Sequence, residues 1–215
     1  MTEAQKETLQ FYTTNDYLLI NDLLWGENEK TIDSFIKLIN DDGRAVMEEA
    51  MDQGFDVRWK CSKTEGEKIY QIYQKRFPVI DHPNVKDQIL MRAKEDIRNM
   101  MSCLEPLTTP LVLYRNIKTK FVDILERGTT LHYLGFSSCS LNPHFAENAT
   151  YGSSDCSLVE IIAPAGTSAI RLDLMPDVQN EPDEVILAPI EFFVTKIDKD
   201  SGKIYMTVNC VASES

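Results

Sequence analysis

Three side chains of different chemistry stand at the margins of apolar runs in the second half of the chain: Arg115, Ser138 and Glu184. Arg115 closes Pro110-Leu111-Val112-Leu113-Tyr114-Arg115, an apolar run of strand length that opens on proline and ends on a cation. Ser138 lies in Gly135-Phe136-Ser137-Ser138-Cys139-Ser140, where small polar and thiol side chains follow Phe136 in succession, leaving room for a backbone to approach a ligand. Glu184 opens the β-branched run Glu184-Val185-Ile186-Leu187 straight out of the acidic turn Asn180-Glu181-Pro182-Asp183. A cation, a hydroxyl and a carboxylate at three strand margins make a polar site. Each also has a plain structural reading: Arg115 as a surface ion-pairing group, Ser138 as a satisfied strand hydroxyl, the acidic turn as a solvated loop.

The elements that must position these groups divide the chain in two. Thr14 or Asn15 could cap a helix through Tyr17, Ile20, Asn21 and Leu24 that ends at Trp25-Gly26. Ile32, Phe35, Ile36 and Ile39 recur with helical spacing over Lys30 to Ile39, and further helices are expected over Arg44 to Gln53 and Thr64 to Arg76. The longest is expected over Val85 to Cys103, with Ile89, Leu90, Ala93, Ile97, Met100 and Met101 facing inward and the charges elsewhere; its methionines read as core rather than as a partner groove. At Glu105-Pro106-Leu107-Thr108-Thr109-Pro110 the period changes from helical to strand-like. Short apolar runs follow at Leu111 to Tyr114, Thr130 to Tyr133, Leu158 to Ile162, Ala169 to Leu172, Val185 to Leu187, Phe192 to Ile197 and Ile204 to Val211. A short helix over Thr119 to Glu126 interrupts them, and Lys199-Asp200-Ser201-Gly202 reads as a hairpin turn. With no repeat or flexible linker, residues 1–215 are expected to pack as one domain, with a helical half over 1–105 and a β-rich half over 106–215.

Composition narrows the function. At 215 residues and 43% apolar content the chain can bury a substantial core. A net charge of −12 argues against broad attraction to nucleic acid or anionic membrane. The first twenty residues contain no apolar core of a secretory signal and no membrane span, so a cytoplasmic chain is expected. The five cysteines are scattered, without a Cys-x-x-Cys pair or zinc-like histidine spacing, and read as free structural thiols. No GxGxxG, GxxxxGK[ST], HExxH or GxSxG motif is present, and His82, His132 and His144 are dispersed.

An arginine at a strand end, a Ser-x-Ser strand after Gly-Phe and a glutamate opening an apolar strand, in that order, resemble the Arg-Ser-Glu signature of mono-ADP-ribosyltransferases. Tyr12-Thr13, Tyr17 and Ile20-Asn21 are similar to the helix that opens the helical half of the bacterial toxin branch. Val159 to Thr167 resembles its strand-Pro-x-Gly-Thr turn, and Glu184 to Pro189 its Glu-apolar-apolar-Leu-x-Pro segment. The resemblance is weak from Asn40 to Thr109 and good from Leu111 to Ile197. It implies an α+β fold in which a helical half packs on a split β-sandwich, with NAD as substrate and no metal.

By that resemblance Arg115 would hold phosphate or ribose oxygens through its fork of donors, and the backbone of Asn116 would clamp the nicotinamide amide. Ser138 would fix the rotamer of Glu184, Ser140 would shape the same strand, and Cys139, where relatives carry threonine, would point away from the site. Tyr114 would flank the bound NAD; Phe136 is either core or part of the nicotinamide pocket, and Phe145 or Tyr151 could stack on the ring or simply pack. Glu184 would stabilise the oxocarbenium ion that forms as the nicotinamide–ribose bond breaks. One departure stands out: two residues before Glu184, where arginine-modifying relatives carry glutamate and Rho-modifying exoenzymes glutamine, this chain has Pro182, flanked by Glu181 and Asp183. Proline offers no side-chain donor or acceptor. Glu181 and Asp183 therefore become the candidates for target recognition.

The resemblance implies transfer of ADP-ribose to a macromolecule, a protein rather than a nucleic acid, by a toxin or effector delivered into a host or competitor cell by a phage, a secretion system or a toxin locus. An NAD glycohydrolase, a nucleic-acid modifier and a non-catalytic binding module on the same fold are the alternatives.

Overall fold

The computed structural model describes residues 1–13, 17–26, 32, 85–118, 125–144, 156–175, 177–178, 183–198 and 201–209. The chain divides into two compact units, Met1–Ser102 and Cys103–Ser215. The described helices, α1 (Glu3–Phe11), α2 (Tyr17–Trp25) and α3 (Val85–Ser102), all lie in the first unit, and a nine-stranded sheet makes the second.

Helix α1 is held at its start by a reciprocal capping box: the Thr2 hydroxyl accepts from the Gln5 N–H at 3.2 Å and the Gln5 side chain accepts from the Thr2 N–H at 2.6 Å. Helix α2 ends at Gly26, whose φ of 85° lies in the left-handed region that favours glycine at a helix exit. In α3 the stripe of Ile89, Ala93 and Met100 is buried as its spacing predicts. Three residues depart from that expectation. Met91 is 66% exposed, Met101 is 46% exposed because the helix ends one residue later, and Asp96, expected outside, is 1% exposed. Asp96 is tolerated there because the Thr8 hydroxyl of α1 donates to Oδ1 at 2.9 Å, Asn99 Nδ2 donates to that hydroxyl at 3.0 Å, and Arg92 Nε lies 3.9 Å from the carboxylate.

The strands are β1 (Glu105–Pro106), β2 (Leu111–Lys118), β3 (Thr130–Tyr133), β4 (Ser137–Ser140), β5 (Cys156–Ala163), β6 (Ser168–Arg171), β7 (Glu184–Leu187), β8 (Ile190–Asp198) and β9 (Lys203–Asn209). Their order is β1-β6-β7-β4-β2-β5-β9-β8-β3, antiparallel throughout except for β5 beside β9. A single paired position, Tyr114 with Ser140, joins β4 to β2, whereas β2 and β5 pair along eight positions. The sheet is thus two blocks, β1-β6-β7-β4 and β2-β5-β9-β8-β3, hinged at one residue pair. Leu113 and Val159 of one block and Cys139, Val185 and Leu187 of the other belong to one buried cluster, so the blocks close on each other as a split sandwich. Each aliphatic side chain in that cluster contributes about 1.5–3 kcal/mol by its burial.

Several local expectations change. Strand β2 does not stop at Arg115 but runs on to Lys118, because Asn116 to Lys118 keep pairing with Leu158 to Cys156. Thr14, Asn15, the helices expected over 44–53 and 64–76, and residues 119–124 of the short helix lie outside the described residues, as does the helix expected over 30–39 apart from Ile32, which is helical and buried; Leu125 and Glu126 are not helical. The turn Pro164-Ala165-Gly166-Thr167 is secured where Gly166, at φ 89°, donates to Leu107 O at 2.8 Å and Leu107 N donates to Thr167 O at 2.9 Å.

Candidate functional site

Strand alternation sorts the residues around the hinge. In β4 and β7, Ser137, Cys139, Val185 and Leu187 share one face, and Ser138, Ser140, Glu184 and Ile186 the other, because Ser140 pairs with Glu184 and Ser138 with Ile186. Cys139 accordingly lies in the core cluster, away from Ser138. Burial pushes its thiol up to about 12 from the ordinary 9.0; the Arg115 guanidinium pulls it back and the Glu184 carboxylate raises it further. Arg115 and Glu184 are thus both within electrostatic reach of one thiol at the hinge, the cation on the β2 side and the carboxylate on the β7 side.

Glu184 is 6% exposed, yet the residue that partners it is exposed: the Ser138 hydroxyl donates to Glu184 Oε1. The bond runs diagonally across the β4–β7 pair, the reach expected of residues two positions out of register on one face. The chain enters β7 through Asp183, which has φ 63° and is the one non-glycine residue with positive φ among the described residues. Aspartate tolerates that region better than most residues, and the residual strain is of order 1 kcal/mol. The turn is fastened to β4 where Leu141 N donates to Asp183 O at 2.9 Å, and the Ser140 hydroxyl accepts from Asn142 N at 3.0 Å. Ser140 therefore shapes the exit of β4 opposite Glu184.

Arg115 lies on the same face of β2 as Leu113 and Ile117 and is half-buried. Its Nη2 donates to the Tyr133 hydroxyl at 3.3 Å, and its guanidinium carbon lies 5.2 Å from the centre of the Tyr133 ring. Tyr133 belongs to β3, separated from β2 in the strand order by β5, β9 and β8, so the contact depends on the curl of the block. That is why spacing along the chain did not single it out. Tyr114, half-buried, pairs with Ser140 and Glu160, and its phenol is raised by burial and then by Glu160. Asn116 is half-buried in β2 and Phe136 is fully buried. Tyr151, Phe145, Glu181 and Pro182 lie outside the described residues.

The segment between β6 and β7 begins with a 3-10 turn, Leu172–Leu174. Arg171 Nε donates to Asp173 Oδ1 at 2.7 Å and its Nη2 pairs with the other carboxylate oxygen, while Leu172 and Val178 are buried and Leu174 is 67% exposed. The forked ion pair raises the Arg171 pKa, chiefly through its hydrogen bond to Asp173. Chemically, a hydroxyl-oriented carboxylate on one side of a hinge and a held guanidinium on the other can stabilise a cationic centre and bind an oxyanion.

No protein-family model and no curated protein matches the sequence. Solved structures do match. The ADP-ribosyltransferase Vis, the Vibrio splendidus toxin, solved in complex with agmatine, aligns at 18% identity over 97% of this chain and 74% of that chain, with a TM-score of 0.50. C3stau2 from S. aureus, solved with NAD, aligns at 15% identity over 97% of this chain and 86% of that chain, with a TM-score of 0.49. The Clostridium limosum C3 exoenzyme aligns at 13% identity over 97% of this chain and 85% of that chain, with a TM-score of 0.46.

Proposed function

With the α+β fold of the bacterial mono-ADP-ribosyltransferases as premise, we propose that this protein transfers ADP-ribose from NAD to a protein, releasing nicotinamide. The observation that carries the proposal is the Ser138–Glu184 bond: a nearly buried carboxylate whose rotamer is set by the hydroxyl of an exposed residue. Such a carboxylate gains most where positive charge develops. As the nicotinamide–ribose bond breaks, its electron pair leaves with nicotinamide and the ribose becomes an oxocarbenium ion; Glu184 stabilises that ion more than the ground state. The acceptor atom then bonds to the ribose carbon and gives up its proton. Arg115 binds the phosphates, Ser138 orients Glu184, and Ser140 and Asp183 hold the two strand ends that carry them. Tyr114, Asn116 and Phe136 are the further NAD-binding candidates, with Tyr151 from the sequence alone.

The segment from Asp173 to Asp183 faces the target in this proposal. Its 3-10 turn is fixed by the Arg171–Asp173 fork, and Leu174 there is 67% exposed. Pro182 gives no side-chain partner to an acceptor group, so acceptor recognition falls to Asp183 or Glu181. The same proline favours water as a second acceptor, making NAD hydrolysis the competing outcome.

The test is incubation of the protein and its Glu184→Gln variant with labelled NAD and cell lysate, following nicotinamide and label together. Transfer predicts variant-sensitive nicotinamide release with a labelled protein band. Variant-sensitive release without label would make it a glycohydrolase, and no release with no NAD binding would leave a binding module.

A further inference from the structure

Arginine suits phosphate because its donors lie in one plane, but its four-bond stem must be frozen for the fork to act. In β2 the Arg115 guanidinium meets one aromatic residue twice, through the hydroxyl of Tyr133 at 3.3 Å and through its ring at 5.2 Å. Tyr133 is itself fixed. It pairs with Ile190 in the β3–β8 ladder, and its ring stands edge-on to Phe192 at 6.3 Å and 67°, Phe192 being buried in the sandwich core. The chain of support runs from the core through Phe192 and Tyr133 to the guanidinium.

We propose that Tyr133 is a positioning residue that holds the Arg115 fork in the attitude required to bind the phosphates of NAD. The role rests on the transferase reading above, and its signature is a defect confined to the phosphate-bearing part of the substrate. The hydroxyl contact is at the long end of the hydrogen-bond range, so the ring contributes at least as much as the oxygen.

The experiment uses the full chain and the variants Tyr133→Phe, which keeps the ring on Phe192, and Tyr133→Leu, which removes it. The KM for NAD should rise about 3-fold in the first and about 10-fold in the second, with kcat within about 2-fold of the parent. Affinity for ADP-ribose should fall in parallel while affinity for free nicotinamide stays constant. An unchanged KM in both variants would overturn the proposal, as would a parallel loss of ADP-ribose and nicotinamide affinity, which marks a general structural defect. The Arg115 Nε–Hε signal in the NMR spectrum of the protein without NAD, identified from its loss in Arg115→Lys, tests the contact separately. It should carry a ring-current displacement that Tyr133→Leu abolishes; no change on that substitution would also overturn the proposal. A displaced signal in a parent protein that neither binds nor cleaves NAD would sink the transferase reading, and the phosphate role with it, while leaving the held guanidinium in place.

Discussion

The two buried acidic residues among the described residues, Asp96 and Glu184, accept hydrogen bonds from hydroxyls in the same way but in opposite surroundings. Asp96, 1% exposed, sits in mid-helix with the equally buried Thr8 as donor, Asn99 behind Thr8 and Arg92 alongside. Glu184, 6% exposed, opens a strand behind a left-handed aspartate, and its donor Ser138 is exposed. Burial and a hydroxyl partner are therefore common to both. What separates them is the donor: buried Thr8 in the α1–α3 packing for Asp96, the exposed residue Ser138 beside the sandwich hinge for Glu184. A carboxylate enclosed by its partners fastens helices, and one whose partner faces outward can act on a ligand.

The largest expected effect breaks the comparison on the catalytic side. Glu184→Gln keeps the size of the side chain and removes its charge, and nicotinamide release should fall about 1,000-fold, the scale of losing a main electrostatic stabiliser of a transition state. The thermal midpoint should barely move. On the structural side, Asp96→Ala strands the Thr8 hydroxyl and should lower unfolding free energy by about 3 kcal/mol in denaturant titration, with kcat at low temperature unchanged.

Cys139 sharpens the contrast through pH. Its folded pKa, about 12 against an ordinary 9.0, is raised, so the folded state keeps a proton that the unfolded chain loses. Its stabilising contribution is complete below pH 9.0 and declines as pH rises toward about 12. The fall in stability over that window should be shallower in Cys139→Ala than in the parent. The smallest effect is expected at Ser137, fully buried, whose hydroxyl has no partner among the described residues. Removing it in Ser137→Ala should stabilise the fold by about 1 kcal/mol in the same titration.

How much of this was legible in the sequence follows from which interactions are local. The change of period at Glu105 to Pro110 and the run of strands after it rest on short spacings and on alternation, and the structure carries them; the bond between Ser138 and Glu184, 46 residues apart, was legible only through the family resemblance. The helix expected from Val85 was legible because apolar residues repeat along it, whereas Asp96 was not: its hydroxyl donor comes from α1, 88 residues away. Helix α1 itself went unread because its signal is a cap at Thr2 rather than an apolar stripe. Strand β2 was cut short at Arg115 because Asn116 and Lys118 break the apolar run, although their backbones still pair with β5. Tyr133 is the sharpest case, since only the curl of five strands brings it to Arg115. The left-handed turn at Asp183 likewise depends on its bond from Leu141 across the β4–β7 pair.

The most direct test of the central claim measures nicotinamide release and thermal midpoint side by side for Glu184→Gln and Asp96→Asn. The account predicts a crossed result: Glu184→Gln loses release and keeps its midpoint, and Asp96→Asn keeps release and loses midpoint. A Glu184→Gln protein that still releases nicotinamide at the parental rate would contradict it.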